Sequence, residues 1–177
     1  MDKFIWISGS INSGKSTIAK LLSDKIPNGI NIELDLLSHF DNKLSIENKA
    51  NFIIQDALDL ARNWLNRNRL PILNWPIWGE GSEFMIAYAK QLKIEPVIIN
   101  LIPNIEIVKT NRGERELTEW ELNRIDYMHQ TGNINNPAYG FCIDNGHLTP
   151  DETVEIIIRT LKSEYAFDLN IAGPALQ

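Results

Sequence analysis

A glycine-rich segment near the start of the chain constrains the fold more than any other feature. It fits the pattern G-x-x-x-x-G-K-[ST], in which a loop wraps its backbone around phosphate groups, and it reads Gly9-Ser10-Ile11-Asn12-Ser13-Gly14-Lys15-Ser16-Thr17. An apolar run from Phe4 to Ile7 precedes it, and a helical pattern follows it. This context is required, because a buried strand must end in a tight turn whose N–H groups and following helix face the anion. The segment therefore predicts a nucleoside triphosphate site.

The fixed positions of this loop have separate physical roles. Gly9 and Gly14 remove side chains where the backbone curls around phosphate. Lys15 is predicted to reach the β- and γ-phosphates, and the Ser16 hydroxyl is predicted to ligate Mg²⁺. The alternative is a chance glycine turn before a basic helix start. It is disfavoured because four fixed positions and both flanks must then coincide.

Length and charge limit the class of protein. The 177 residues suit one domain, expected at 1–166, with a tail at 167–177. The net charge of −6 contains no single-sign block, so a small molecule is a better partner than nucleic acid or an anionic membrane. A single cysteine, Cys142, permits no internal disulfide. Without a basic leader, or an apolar stretch near the ~18 residues of a membrane span, we expect a soluble, cytoplasmic protein. The sequence does not indicate an oligomeric state.

Apolar, strand-like runs alternate with segments of helical period along the chain. The alternation predicts an α/β fold in which a parallel sheet is covered by helices on both faces. Five strands are predicted, at Phe4–Ser8, Gly29–Leu34, Leu70–Trp75, Val97–Ile102 and Gly140–Ile143.

Helices are predicted between these strands. The longest runs from Ile46 to Asn66, and its predicted buried stripe consists of Phe52, Ile53, Leu60, Ala61, Trp64 and Leu65. Ser82 is a predicted cap for a helix that ends near Lys93, and Pro103 is predicted to open a helix that leads to Asn111.

Two sequence signals predict helix starts later in the chain. Thr118 and Glu121 form a T-x-x-E capping box. Thr149, Pro150 and Glu152 supply a cap, a first-turn proline and an acidic first turn to the last helix, predicted at Val154–Leu161.

An acidic pair marks the end of the second predicted strand. Glu33 and Asp35 stand two residues apart, so on an extended backbone both carboxylates project from one face. In an open α/β sheet this end of the strand lies beside the phosphate loop. Such a pair is suited to orienting an acceptor hydroxyl and holding water on Mg²⁺. The alternative is structural, with Asp35 capping the turn and Glu33 pairing with a surface lysine.

A cationic segment follows the fourth predicted strand and its helix. Arg112 and Arg115 flank Gly113 and Glu114, and a mobile segment there is suited to closing arginines over a nucleotide and expelling water. Arg124 is a further candidate. The alternative for all three arginines is surface pairing with nearby glutamates.

Together these segments resemble the P-loop small-molecule kinases related to nucleoside monophosphate kinases, among them shikimate kinase, gluconate kinase, chloramphenicol phosphotransferase and the zeta-toxin kinases. The resemblance covers the chain from Phe4 to about Leu161. It implies a P-loop three-layer α/β/α sandwich with a five-stranded parallel sheet and a small mobile lid at about 112–136. It also implies ATP and Mg²⁺ as cosubstrates and phosphorylation of an acceptor hydroxyl near Asp35.

Two positions depart from the family's pattern. Before Pro137 this chain lacks the arginine that precedes the similar segment of shikimate kinase, which argues against shikimate as the acceptor. Asn74 stands where the family usually has a third-strand carboxylate that helps to secure Mg²⁺. Its presence shifts that task to Ser16 and, through water, to Glu33 or Asp35, and it leaves weak catalysis as an open alternative.

The loop after the third predicted strand holds two tryptophans. Trp75 is expected to belong to the core, whereas Trp78 is a candidate for a flat apolar wall in an acceptor pocket. The alternative for Trp78 is ordinary packing. His129 is a weaker substrate-contact candidate, since a lone histidine is more often a helix-end residue.

The combined interpretation is an ATP- and Mg²⁺-dependent kinase that phosphorylates a hydroxyl of a small metabolite or antibiotic. Lys15, Arg112 and Arg115 are predicted to neutralise the transferred charge, and Asp35 to orient or deprotonate the acceptor. Two alternatives stay open: a non-catalytic or regulatory ATP-binding protein, and a toxin-type kinase of sugar nucleotides. A regulatory GTPase is disfavoured because the chain has neither a D-x-x-G switch nor an N-K-x-D guanine reader.

Overall fold

Strands and helices alternate along the computed structural model, which describes residues 1–40, 43, 45–110, 116–131, 134, 137–167 and 169. The strands are β1 (Asp2–Gly9), β2 (Gly29–Glu33), β3 (Leu70–Asn74), β4 (Ile94–Leu101) and β5 (Phe141–Ile143). The helices are α1 (Lys15–Lys25), α2 (Leu34–Leu37), α3 (Ile46–Leu65), α4 (Glu80–Gln91), α5 (Ile105–Val108), α6 (Glu119–Gln130) and α7 (Pro150–Glu164).

The five strands form one parallel sheet in the order β2-β3-β1-β4-β5. The phosphate loop therefore leaves the central strand. The register aligns Ile7 of β1 with Asn74 of β3, and Asn74 with Glu33 of β2. The carboxyl ends of these three strands consequently meet at one edge of the sheet, which is where ligands bind in open α/β sheets.

Two apolar layers cover the sheet. Because side chains alternate along a strand, Ile5 and Ile7 of β1 pack into one cluster and Phe4 and Trp6 into another. The first cluster includes buried side chains of α1 and α7, and the second includes those of α3 and α4. This arrangement confirms the predicted α/β/α sandwich with a five-stranded parallel sheet.

Helix α3 buries Ile53 and Ala61 as predicted, but the rest of its buried stripe differs from the prediction. Its core-facing residues, spaced by three and four, are Ile53, Ile54, Ala57, Leu58 and Ala61. Phe52 is 60% exposed and Leu60 is also exposed. Successive residues of a helix are rotated by about 100° around its axis. Phe52 and Leu60 are apolar but therefore lie outside the part of the helix surface that faces the sheet. The prediction was wrong at these two positions.

The two capping boxes are present as predicted. Thr118 Oγ1 accepts from the Glu121 N–H and Thr149 Oγ1 accepts from the Glu152 N–H, and each glutamate accepts from the threonine N–H in return. The hydrogen bonds from Thr149 hold the pKa of Glu152 below its ordinary value.

Two other predicted helix starts were wrong. Helix α4 begins at Glu80 after Gly79, which has a φ of +52°, and Ser82 is buried inside the first turn rather than capping it. Helix α5 begins after Asn104, whose side chain accepts from the Glu106 N–H, so Asn104 and not Pro103 sets its start.

Parts of the predicted lid and tail lie outside the described residues. Within the range 112–136 the structure describes 116–131, which contain α6, and residue 134, but not 112–115, 132, 133, 135 or 136. At the start of the tail, Leu169 is buried in the cluster that contains α1 and α7. The division at residue 166 stays a prediction. Among the helices of the described chain, none has the length and apolar character needed to cross a bilayer.

Candidate nucleotide and acceptor site

The phosphate loop joins β1 to α1 through a turn that only glycine allows at two positions. Gly9 has a φ of +153°, and a Cβ there would lie 2.5 Å from Ser13 Oγ and 2.7 Å from the Leu101 carbonyl oxygen. Gly14 has a φ of +95° and stands at the N-cap of α1. Both glycines thus have the tight-turn role that the sequence predicted for them.

Two asparagine side chains brace this loop from neighbouring segments. Asn12, at a φ of +62°, donates from Nδ2 to the Val108 carbonyl at 2.8 Å and to the Thr110 carbonyl at 2.9 Å. Asn145, buried after β5, donates from Nδ2 to the Ser13 carbonyl at 2.9 Å. Neither contact was predicted from the sequence. The pattern marks Asn12 only as a variable position, and nothing in the sequence places Asn145 against residue 13.

The polar groups of the loop fit a polyanion. Lys15 Nζ donates to the Ser10 carbonyl at 2.8 Å, which holds the ammonium group over the loop. The hydroxyl oxygens of Ser10 and Ser13 are buried and have no hydrogen-bond partner within the described part of the chain. Buried donors of this kind are normally satisfied. Lys15 and the N-terminus of α1, which line the cavity beside these hydroxyls, suit the phosphates of a nucleotide.

Ser16 lies at the aligned ends of β2 and β3. Its Oγ donates to Glu33 Oε1 at 2.6 Å and lies 3.4 Å from Asn74 Oδ1. Asn74 is itself held by its Nδ2, which donates to Asn31 Oδ1 at 3.1 Å. A hydroxyl, a carboxylate and an amide oxygen therefore converge, and oxygen ligands are those that Mg²⁺ prefers. Ser16, Glu33 and Asn74 are the residues that would hold the ion.

Asp35 reaches the site by a route other than the predicted one. Strand β2 ends at Glu33, and Asp35 lies in the first turn of α2, so the two carboxylates do not share the face of an extended strand. The reason is that Leu34, predicted to continue the strand, begins the helix and is fully buried. Asp35 Oδ1 accepts from Trp75 Nε1 at 3.0 Å. The Trp75 carbonyl accepts a hydrogen bond from Nε1 of the buried Trp6 at 3.0 Å. This bond ties the backbone of Trp75 to β1.

One cavity of about 860 Å³ connects the phosphate loop with Asp35 and Trp75. This volume is within the range of roughly 300–1,000 Å³ that is usual for small-molecule sites. Lys15, Ser16, Asp35 and Trp78 all line it, as does Arg124 of α6. The residues at 112 and 115 lie outside the described part of the chain, so the predicted roles of Arg112 and Arg115 stay predictions. Of the loop, Ile11, Asn12, Gly14 and Thr17 also line the cavity.

The wall opposite the loop is largely apolar. Trp75 is 9% exposed and belongs both to the core and to the cavity wall, and Trp78 extends this wall. Helix α6 adds Trp120, and α3 adds Ile54. The sequence analysis missed Trp120, although a tryptophan in the first turn of a capped helix and outside its buried stripe was a usable signal. Of the histidines that the structure describes, neither His129 nor His147 lines the cavity.

Comparisons with known proteins identify the fold. A scan against protein-family models gave no match, and neither did a search of curated proteins. The tunicamycin resistance protein of Deinococcus radiodurans is similar in structure, with a TM-score of 0.70 at 17% identity over 98% of this chain and 100% of that chain. A sugar kinase from Janibacter sp. HTCC2649 has a TM-score of 0.67 at 14% identity, covering 94% and 98%.

Shikimate kinase from Aquifex aeolicus is also similar, with a TM-score of 0.58 at 20% identity over 93% of this chain and 98% of that chain. These likenesses cover nearly the whole chain. The chain therefore has the fold of the P-loop kinases. At such identities the likeness establishes the fold alone, and the activity must follow from the residues of the site.

Proposed function

We propose that this protein is an ATP- and Mg²⁺-dependent kinase that transfers the γ-phosphate to a hydroxyl group of a small molecule. The observation that carries the proposal is the shared cavity, where Lys15 and Ser16 of the phosphate loop line the same space as Asp35 and Trp78. A nucleotide-binding module needs only the first pair. Phosphoryl transfer depends chiefly on positioning and charge compensation, and this cavity offers both to two reactants.

The donor side is formed by the loop and the end of β2. The loop N–H groups and the N-terminus of α1 are placed to bind phosphate oxygens, with Lys15 Nζ exchanging its bond to the Ser10 carbonyl for one to a phosphate. Bound Mg²⁺ would supply charge neutralisation at the β- and γ-oxygens. Ser16 and Glu33 would hold it, since Glu33 supplies the carboxylate that β3 lacks at Asn74.

The acceptor side is centred on Asp35. Its carboxylate would orient the acceptor hydroxyl, with Trp75 Nε1 fixing its direction. A bond forms from the hydroxyl oxygen to the γ-phosphorus while the bond from that phosphorus to the bridging oxygen breaks. ADP leaves with the electron pair, and Asp35 takes the hydroxyl proton. Arg124, on the cavity wall, would neutralise charge on the moving phosphoryl group, together with Arg112 and Arg115 if the lid prediction holds.

The similar solved structures support the class of reaction. Two of those described above are a sugar kinase and a shikimate kinase, and the third is a tunicamycin resistance protein. Their acceptors differ, so they support a small-molecule kinase without selecting its acceptor. A metabolite, an antibiotic and a sugar nucleotide therefore all stay in the panel of candidates.

Asn74 favours a second candidate function, namely that of a non-catalytic or regulatory ATP-binding protein. An amide at the third-strand position is a weaker support for Mg²⁺ than a carboxylate. The 2.6 Å contact between Ser16 and Glu33 argues for the kinase, because it places a carboxylate beside the same ion site from the next strand.

The test combines two variants with measurements of ATP binding and ADP release over a panel of hydroxyl acceptors. Lys15→Ala should abolish transfer, because the ammonium compensates charge that grows in the transition state. Asp35→Asn should lower kcat about a hundredfold or more while changing the KM for ATP by less than about threefold. Wild-type protein that binds ATP and phosphorylates no acceptor would favour the non-catalytic alternative. Unchanged turnover in Asp35→Asn would refute the role of that residue.

A further inference from the structure

We infer that the acceptor of this kinase is an uncharged alcohol that carries a flat apolar group such as an aromatic ring. The inference rests on the proposed function and specifies the substrate class of the same site. It follows from three properties of the cavity: its aromatic wall, the exposure of one tryptophan, and the distribution of charge among the described lining residues.

The aromatic wall is built by three tryptophans from two segments that are distant in sequence. Trp75 and Trp78 come from the loop after β3, and Trp120 comes from the start of α6. Ser8 fixes that loop, since its hydroxyl bonds both the N–H and the carbonyl of Ile77, at 3.0 and 3.2 Å. The indoles are thus carried on anchored backbone. Several aromatic faces around one volume favour a flat apolar ligand, which gains both burial and ring stacking.

Trp120 is the least buried part of this wall. It is 62% exposed, although tryptophan is highly buried on average. Helix α6 packs on the protein through Ile125 and Met128, so Trp120 is not needed to dock the helix. A large exposed apolar side chain at the mouth of a cavity is suited to ligand contact. Trp120, Arg124 and Met128 stand at i, i+4 and i+8, which puts them on one helix face, and all three line the cavity.

Charge argues against an anionic acceptor. Of the described residues that line the cavity, the cations are Lys15, which belongs to the phosphate loop, and Arg124. Lys49, on the same helix as the lining residue Ala50, is buried and donates from Nζ to the Ser38 carbonyl at 2.6 Å. The acceptor-side carboxylate of Asp35 would repel a second anion. A carboxylate placed against this apolar wall would lose its hydration, and among the described lining residues only Lys15 and Arg124 carry a positive charge that could compensate it.

The first experiment compares matched alcohols at saturating ATP and Mg²⁺. The probes are 4-methylbenzyl alcohol, 4-(hydroxymethyl)benzoate and glycerol, extended by further neutral and carboxylated pairs, with ADP release and ³¹P detection of the phosphate ester. We expect kcat/KM for neutral ring alcohols to exceed that for their carboxylated counterparts and for glycerol by about a hundredfold. A carboxylated or ring-free alcohol as the best acceptor overturns the inference and leaves the kinase function intact. ATP-analogue binding with no phosphorylation in either set means that the proposed kinase function itself fails, and the inference with it.

The second experiment separates the tryptophan wall from general stability. Trp120→Ala should raise the KM for the neutral ring alcohol about tenfold and leave the KM for ATP unchanged, and Trp120→Phe should restore most of the loss. Phe52→Ala is the matched control, because Phe52 is 60% exposed and does not line the cavity. Equal KM values in Trp120→Ala and the control would overturn the aromatic wall as a binding surface.

The third experiment tests the assignment of Arg124. If Arg124 serves the phosphoryl group, Arg124→Gln lowers kcat by the same factor for every acceptor. If it binds an acceptor carboxylate, the loss is confined to carboxylated alcohols. A loss confined to carboxylated alcohols contradicts an uncharged acceptor. This holds even if the first experiment gives no clear order of kcat/KM among the alcohols.

Discussion

Ser16 Oγ donates a 2.6 Å hydrogen bond to the carboxylate of Glu33, although β3 lies in the sheet between β2, which ends at Glu33, and β1, from which the phosphate loop departs. The contact arises because Ile7, Asn74 and Glu33 are in register at the carboxyl edge. Ser16, in the first turn of α1, thus reaches across Asn74 to β2. The Glu33 carboxylate of β2 thereby stands beside the candidate Mg²⁺ site, where β3 offers only the neutral amide of Asn74.

This contact predicts how the magnesium requirement depends on Glu33. Glu33→Gln keeps the shape of the side chain and removes its charge, so the Mg²⁺ concentration for half-maximal ADP release should rise about tenfold or more. Mn²⁺ binding in the presence of ADP, followed by electron paramagnetic resonance, measures the same loss without turnover. Asn74→Asp is the complementary variant and should lower the Mg²⁺ requirement. An unchanged requirement in Glu33→Gln would exclude this residue from the ion site.

The indole hydrogen bond to Asp35 predicts a second effect. Trp75→Phe retains an aromatic ring in the core and removes the Nε1 donor to Asp35. The carboxylate then samples more directions, so kcat should fall about tenfold while the KM for ATP stays the same. Steady-state kinetics with ATP and acceptor varied separately distinguishes the two parameters. A rise in the KM for ATP with unchanged kcat would contradict a positioning role.

Asn145 predicts a link between stability and nucleotide binding. Asn145→Ala removes the donor to the buried Ser13 carbonyl and should cost about 1–3 kcal/mol in the free energy of unfolding, together with a weaker affinity for ATP. Urea denaturation and calorimetric titration with an ATP analogue measure the two effects. Asn28→Ala is the control, since Asn28 makes the same kind of bond, to the Asn68 carbonyl at 3.3 Å, at an exposed site. Similar losses of unfolding free energy and of ATP affinity in both variants would argue against a specific role for the hydrogen bond from Asn145 to the phosphate loop.

The turn at Gly9 predicts intolerance to even one methyl group. In Gly9→Ala the new Cβ lies 2.7 Å from a backbone oxygen, that of Leu101, so the strand pairing must shift and the protein should lose about 1–3 kcal/mol. Gly81→Ala is the opposite case. Gly81 is inside α4 with its nearest atom, Ile77 Cγ1, at 3.8 Å, so alanine there should stabilise by about 0.5–1 kcal/mol. Chemical denaturation measures the change in unfolding free energy of both variants. Equal changes in Gly9→Ala and Gly81→Ala would refute the steric explanation.

The capping box of α7 predicts a contribution to acid sensitivity. The pKa of Glu152 is lower in the folded protein than its ordinary value of about 4.3, because Thr149 donates to the carboxylate. A lowered folded pKa stabilises the protein above the ordinary value, and this stability is lost as the pH falls through the folded pKa. Glu152→Gln should therefore show a shallower drop in Tm below about pH 5 than wild type. Glu155→Gln, an exposed change on the same helix, should retain the wild-type slope.

The fold was predictable because its strongest signals are local. The loop at 9–17 fixes a strand, a turn and a helix in sequence, and the capping boxes at Thr118 and Thr149 mark helix starts by side chains that bond three residues away. The strand and helix alternation then leaves few topologies for a parallel sheet. The boundaries were less predictable. Leu34 fits a strand by composition, yet it is the first residue of α2 and is buried there.

The site was predictable only where one segment contains its own chemistry. Lys15 and Ser16 follow from the loop pattern, whereas Asp35 lines the cavity from α2 and not from the extended strand that was predicted. The contacts of Asn12 with Val108 and of Asn145 with Ser13 join residues about a hundred positions apart. No local pattern encodes such distances, and the same reason hid Trp120 and the burial of Ile54 rather than Phe52 on α3.

The central position of β1 predicts that the loop side of the cavity is more rigid than the side formed by α6. Paired with β3 and β4 and buried from Phe4 to Ser10, this strand should have amides among the slowest to exchange with solvent. Helix α6, which buries Ile125 and Met128, is expected to open at a much smaller energetic cost. Variation at Trp120 or Trp78 can therefore retune what the protein accepts without disturbing the strand from which the phosphate loop departs.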